Sequence, residues 1–129
     1  MNITAYTVGT THLGMPTVCY DKTVEFYKDL GFTEEFFLVC GDGSRIIFLK
    51  LKSLLLEIYE SSSSPGVAGA VDHIAIDVND IEAVFGQIKA EGYTLLDDHI
   101  CSMPFWANGE KYFTIQGPNG EKIEFVQIL

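Results

Sequence analysis

Apolar residues recur along this chain with two alternating periods, and the order of those periods is the same in both halves. In residues 20–32, YDKTVEFYKDLGF, Val24, Tyr27 and Leu30 return at helical spacing. Asp21 is placed to cap the start of that helix, and Gly31 stands where its C-terminal cap belongs. A short apolar run, HLGMPTVC at 12–19, precedes the helix. Three strand-like runs follow it: TEEFFLVC at 33–40, SRIIFLKL at 44–51 after a GDG turn, and SLLLEIYE at 53–60. In the second half VDHIAIDV at 71–78 reads as a strand. NDIEAVFGQIKAEGY at 79–93 reads as a helix with Ile81, Val84, Phe85 and Ile88 on one face and Gly92 at its end. YTLLDDHI, EKYFTIQ and EKIEFVQI supply three more strands, the last two joined by the strong turn sequence GPNG.

Each half therefore reads strand–helix–strand–strand–strand, a duplicated α+β arrangement of two βαβββ modules. SSSSPGVAG at 61–69 has the composition of a linker between them. The expected organisation is one domain over 1–129, with modules at about 4–60 and 70–129. His12 falls in the opening strand of the first module and His73 in that of the second. The interval from His12 to Gly31 equals that from His73 to Gly92. Glu57 and Glu124 each lie in the last strand of their module.

Composition narrows the function. The chain of 129 residues is long enough for a hydrophobic core. Eight basic and eighteen acidic side chains leave a formal charge of −10, which repels phosphate backbones and anionic membrane surfaces. Arg45 is the single arginine. Cys19, Cys40 and Cys101 are odd in number and far apart, which fits free thiols in a reducing compartment. The opening segment lacks a basic start and an apolar run, and no stretch reaches membrane-spanning length. A soluble cytoplasmic protein acting on a small molecule is the expectation.

The candidate chemistry sits at the repeat positions. A carboxylate in the middle of an apolar strand is costly unless it meets a cation. Glu57 in LLLEIYE and Glu124 in KIEFVQI both occupy such places. Alternation sets Glu57 on one face with Leu55 and Tyr59, and Glu124 with Lys122 and Val126. Each of these residues alone reads most simply as structural. Together, His12, Glu57, His73 and Glu124 offer two imidazoles and two carboxylates, a good ligand set for one divalent transition metal.

With those residues placed, the sequence resembles the vicinal oxygen chelate superfamily. HLGMPTVCYDKTVEFYKDLGF, LLLEIYE, DHIAIDVNDIEAVFGQIKAEGY and GPNGEKIEF carry the resemblance, which runs from His12 to Leu129. It implies two βαβββ modules forming a half-open barrel around a metal. The four-ligand pattern resembles glyoxalase I more than the three-ligand dioxygenases or fosfomycin enzymes. By that resemblance the metal is Ni²⁺ or Co²⁺ in preference to Zn²⁺ or Mn²⁺. The implied activity is that of a lyase or isomerase: the metal stabilises an enediolate while a glutamate, Glu124 in preference to Glu57, moves the proton. Glyoxalase I enzymes acting on glutathione adducts carry an arginine where this chain has Pro16, and an asparagine where it has the serine run. The expected substrate is therefore a small hydroxy-carbonyl or thiol adduct not restricted to glutathione.

Further candidates surround that set. Phe105 and Trp106, in the loop CSMPFWANGE, could cap a cavity or pack beneath the loop. Tyr59 and Lys111 are candidate substrate contacts, Arg45 is a possible anion contact, and His99 reads as a surface residue. Two other readings stand beside the enzyme: a ligand-sequestering protein of the bleomycin-resistance kind, and a ring-cleaving dioxygenase. The family resemblance also implies a homodimer.

Overall fold

The computed structural model describes residues 2 and 4–129. Met1 and Ile3, within the segment read above for a leader, lie outside the described residues. The chain divides into two units with the boundary between Ser64 and Pro65, inside the serine-rich segment.

The first unit runs β1 (Leu13–Thr17), α1 (Tyr20–Asp29), β2 (Thr33–Val39), β3 (Arg45–Leu51) and β4 (Leu54–Glu60). The strands form one sheet in the order β1-β4-β3-β2, with β1 parallel to β4 and the other pairs antiparallel. Alternation puts Ile47 and Leu49 of β3, and Leu56 and Ile58 of β4, on the face covered by α1. Tyr20 and Tyr27 of α1 complete this core with Phe32. Burying each such side chain contributes about 1.5–3 kcal/mol.

Asp21 does not cap α1, contrary to expectation. Cys19 holds the cap position without a side-chain cap bond, and two threonines bind its backbone instead. The Cys19 N–H donates to Thr17 Oγ1 at 3.0 Å, and Thr23 Oγ1 donates to the Cys19 carbonyl at 2.9 Å. Both threonines are fully buried, and their hydroxyls meet at 2.9 Å. Asp21 lies within the first turn, where Arg45 takes its carboxylate.

The second unit runs β5 (His73–Asp77), α2 (Ile81–Ala90), β6 (Cys101–Met103), β7 (Glu110–Gln116) and β8 (Lys122–Ile128). Its sheet order, β5-β8-β7-β6, repeats the first, again with first and last strands parallel. Asp80 caps α2 by accepting from the Ala83 N–H at 3.0 Å. Phe113 is fully buried, stacked on Phe125 at 5.1 Å and edge-on to Phe85 at 5.0 Å. Ile81, Ile88, Ile115 and Ile123 fill the rest. In the GPNG turn Gly120 has φ +77°, and a Cβ there would collide with the Gly66 carbonyl, so only glycine fits.

One strand departs from the sequence reading. YTLLDDHI makes only the single bridge Leu95–Ile115, and the strand beside β7 is the later Cys101–Met103. The Leu96 and Asp97 N–H groups both point at the Thr114 carbonyl, which breaks the ladder, and aspartates at 97 and 98 disfavour its continuation.

Among the described residues no helix is long and apolar enough to cross a membrane. The three cysteines are free.

Candidate metal half-sites in the two units

In β4, Leu56 and Ile58 turn into the core, so Glu57 between them faces the other side of the sheet. The parallel register of β1 sets Gly14 against Glu57. A Cβ at Gly14 would meet Glu57 Oε2 at 3.6 Å and Tyr59 Cε1 at 3.7 Å, ordinary contact distances, so Gly14 borders both side chains. His12 directly precedes β1 rather than lying within it. Its Nε2 reaches Glu57 Oε2 at 3.0 Å, and its ring stands edge-on to Phe48 at 5.3 Å.

The second unit repeats the arrangement. Ile123 and Phe125 of β8 are buried, and Glu124 faces the opposite side. His73, the first residue of β5, places Nε2 3.9 Å from Glu124 Oε2. Its other nitrogen, Nδ1, lies 3.1 Å from Asp72 Oδ2, while Lys122 Nζ donates to Asp72 Oδ1 at 2.8 Å. Lys122 and then His73 hold the Asp72 carboxyl below its ordinary range. That carboxylate calls for the proton on Nδ1, which leaves the Nε2 lone pair directed toward Glu124. Burial pushes the Glu124 carboxyl up, and the His73 ring only partly offsets it.

Each unit thus brings together its histidine and its glutamate, one nitrogen and one oxygen converging. Two neighbouring ligands about 2.1 Å from one ion stand about 3 Å apart. The His12–Glu57 contact has that spacing and the His73–Glu124 contact is wider. In the second unit an imidazole lone pair faces a carboxylate, and only a cation, a proton or a metal, reconciles two such acceptors. The donors fit a divalent ion. Among the described residues no three His, Cys, Asp or Glu side chains gather as a metal cluster.

The other candidates fall in different places. Tyr59 borders Glu57 beside Gly14. Lys111 donates to Glu82 of α2 at 2.5 Å. Arg45 is bound by Asp21 and Glu60, each at 2.7 Å, and lies over the Tyr20 ring, so it is a structural cation rather than an open anion contact. His99 is exposed and contacts Asp98. Phe105 and Trp106 are 51% and 67% exposed, which rules out a packed satellite core beneath the loop. Trp106 adopts φ +66°, a left-handed conformation that costs a non-glycine residue about 1–2 kcal/mol. Its indole N–H donates to Glu110 Oε2 at 2.8 Å. Asp72 and Glu110 were missing from the sequence reading. Asp72 adjoins His73, which was the available signal. Glu110 shares the strand face of Thr114, which pairs with Glu124.

Comparison with known proteins agrees with this architecture. The family model described as Glyoxalase/Bleomycin resistance protein/Dioxygenase superfamily matches residues 9–125. An uncharacterized protein of Bacillus subtilis (strain 168), YwbC, is 39% identical over 66 residues, 51% of this chain and 50% of the relative. The match with this curated relative thus spans about half its length. A glyoxalase family protein from Enterococcus faecalis has the same fold, with TM-score 0.76 and 24% identity over 92% of this chain and 97% of that one. So does the fosfomycin resistance protein FosX from Listeria monocytogenes, solved with Mn(II) and sulfate, with TM-score 0.73 and 16% identity over 95% and 94%. With the family model spanning both units and the βαβββ repeat present in each, this chain belongs to the glyoxalase/bleomycin resistance protein/dioxygenase superfamily.

Proposed function

We propose that the protein is a divalent-metal-dependent lyase or isomerase of the glyoxalase type, with His12, Glu57, His73 and Glu124 as the ligand set. The observation that carries this reading is the repeated His–Glu contact, present once in each unit at matching places in the repeat. Ni²⁺ or Co²⁺ is the preferred ion, with Zn²⁺ or Mn²⁺ as alternatives. The Mn(II) complex of the FosX relative supports this class of ion.

A divalent cation held by these donors supplies positive charge for an oxygen anion that develops beside a reacting carbon. Glu124 is the proposed base. A carboxylate beside a cation is a weak base, so Glu124 would have to loosen from the ion when substrate binds in order to take a proton from a carbon acid. It then returns the proton to the adjacent carbon of a small hydroxy-carbonyl or thiol-adduct substrate. Asp72 fixes the His73 ring through Nδ1. Glu57 is the second carboxylate of the set and the alternative base. Tyr59, Phe105, Trp106 and Lys111 are proposed to contact the substrate. The chain is proposed to act as a homodimer.

Elemental analysis of protein purified without a metal-affinity tag should find about one transition metal per chain. Deuterium should enter hydroxy-carbonyl compounds or thiol adducts in its presence. Glu124→Gln retaining both full metal content and full exchange would falsify the role of Glu124. The exposed aromatic side chains of Phe105 and Trp106 favour a second reading, a ligand-sequestering protein, which predicts ligand binding without proton exchange.

A further inference from the structure

In the second unit a cavity of about 590 Å³ opens between β6, the loop after it and the start of β7. Met103, Trp106, Asn108, Gly109 and Glu110 are among its lining residues. The charged side chain in that lining is Glu110. No lysine, arginine or histidine shares it. Glu110 is only 7% exposed. Its Oε2 accepts from the neutral Trp106 indole, and its Oε1 has no hydrogen-bond partner among the described residues. The neighbouring Lys111 is engaged by Glu82.

Glu110 Oε1 is not sealed in the core, so the carboxylate keeps an acceptor for a donor that enters the cavity. Beside the carboxylate stands a mostly exposed indole, bonded to that same carboxylate and carried on a left-handed backbone. The carboxylate sits at the N–H edge of the indole, so a cation bound to it gains a charge-assisted hydrogen bond, and the ring quadrupole adds to this where the cation reaches the ring face. We propose that this cavity is a binding subsite for a positively charged nitrogen, a protonated amine or a guanidinium, carried by a small ligand. Glu110 anchors the cation and Trp106 covers it. The subsite uses none of the four proposed metal ligands.

Trp106 is the single tryptophan, so its fluorescence reports directly on the cavity. The probe is benzylammonium, titrated against the neutral isostere benzyl alcohol at pH 7. The expected result is saturable quenching by the cation, with the alcohol on the order of tenfold weaker. Glu110→Gln keeps the side-chain shape and an acceptor for the indole. It should abolish the preference for the cation, while Glu25→Gln, the same charge change on exposed α1, should keep it. Equal binding of cation and alcohol, no saturable binding of either, or an unchanged preference in Glu110→Gln overturns the proposal. Circular dichroism of each variant separates loss of fold from loss of charge. If Glu110→Gln does not fold, proton chemical-shift changes at Trp106 Nε1–H in the unmodified protein decide instead, since the cation should move that resonance and the alcohol should not. Metal content is measured on the same samples, so failure of the metal reading leaves this result legible.

Discussion

Replacing Glu124 by glutamine should make the chelated protein more stable and the metal-loaded protein less so. The carboxylate is 18% exposed and sits in β8 between two core residues. Burial lifts its native pKa above the ordinary 4.5, with the His73 ring opposing. The native state then holds the proton over a pH range where the unfolded chain has lost it. Unfolding free energy must therefore fall as pH rises from 4.5 through the raised native value, and be flat above it. Across that window the slope approaches about 1.4 kcal/mol per pH unit for one proton. An incompletely satisfied buried group of this kind costs about 1–3 kcal/mol. Glutamine keeps the shape without the charge, so at pH 7 in excess chelator Glu124→Gln should gain on the order of 1 kcal/mol, or roughly 3–5 °C in Tm. Below pH 4 the two proteins should melt together. With a metal at a hundred times its Kd, the parent should gain about 2.7 kcal/mol and the variant much less. Thermal melts followed by circular dichroism, at several pH values with and without chelator, read all of this. A variant less stable than the parent at pH 7 in chelator would refute the claim that the bare carboxylate is a burden the metal relieves.

Asp72→Asn should weaken metal binding by about 10–100-fold while leaving the four ligands in place, because the amide no longer fixes the His73 tautomer. Competition with a chromophoric chelator measures this, and an unchanged affinity would remove Asp72 from the site. Phe113→Ala should cost about 3–5 kcal/mol, since the ring is fully buried and packed on two other aromatic rings. Urea unfolding measures it, and a loss under 1 kcal/mol would mean the second core does not rest on that stack.

The elements with strong periodicity were legible from residue order alone. Val24 and Tyr27 marked α1, Ile81 and Ile88 marked α2, and the glutamates flanked by core residues marked the face of β4 and β8 turned away from the core. Local chemistry was harder to read. Asp21 and Asp80 look equally good as caps, yet only Asp80 serves, because Arg45, distant in sequence, claims Asp21. The segment 93–100 has strand-like leucines, but its pairing is broken where two N–H groups converge on one Thr114 carbonyl. That event depends on β7 and leaves no mark in the segment itself. Glu110 was invisible for a similar reason. A glutamate at the start of a strand normally faces water, and here the indole of Trp106 folds over it. The histidines and glutamates emerged only because the repeat compared each candidate with a second copy of itself.

The parallel pairing of first and last strands has a kinetic consequence. In each unit the histidine comes from the beginning of the module and the glutamate from its end, so they meet only when β1 closes on β4, or β5 on β8. Contacts this distant along the chain form late, because the intervening loop must be closed before they reward it. Each His–Glu contact therefore waits on the closure of its own parallel strand pair, and a metal held by it would report that the first and last strands of that module have met.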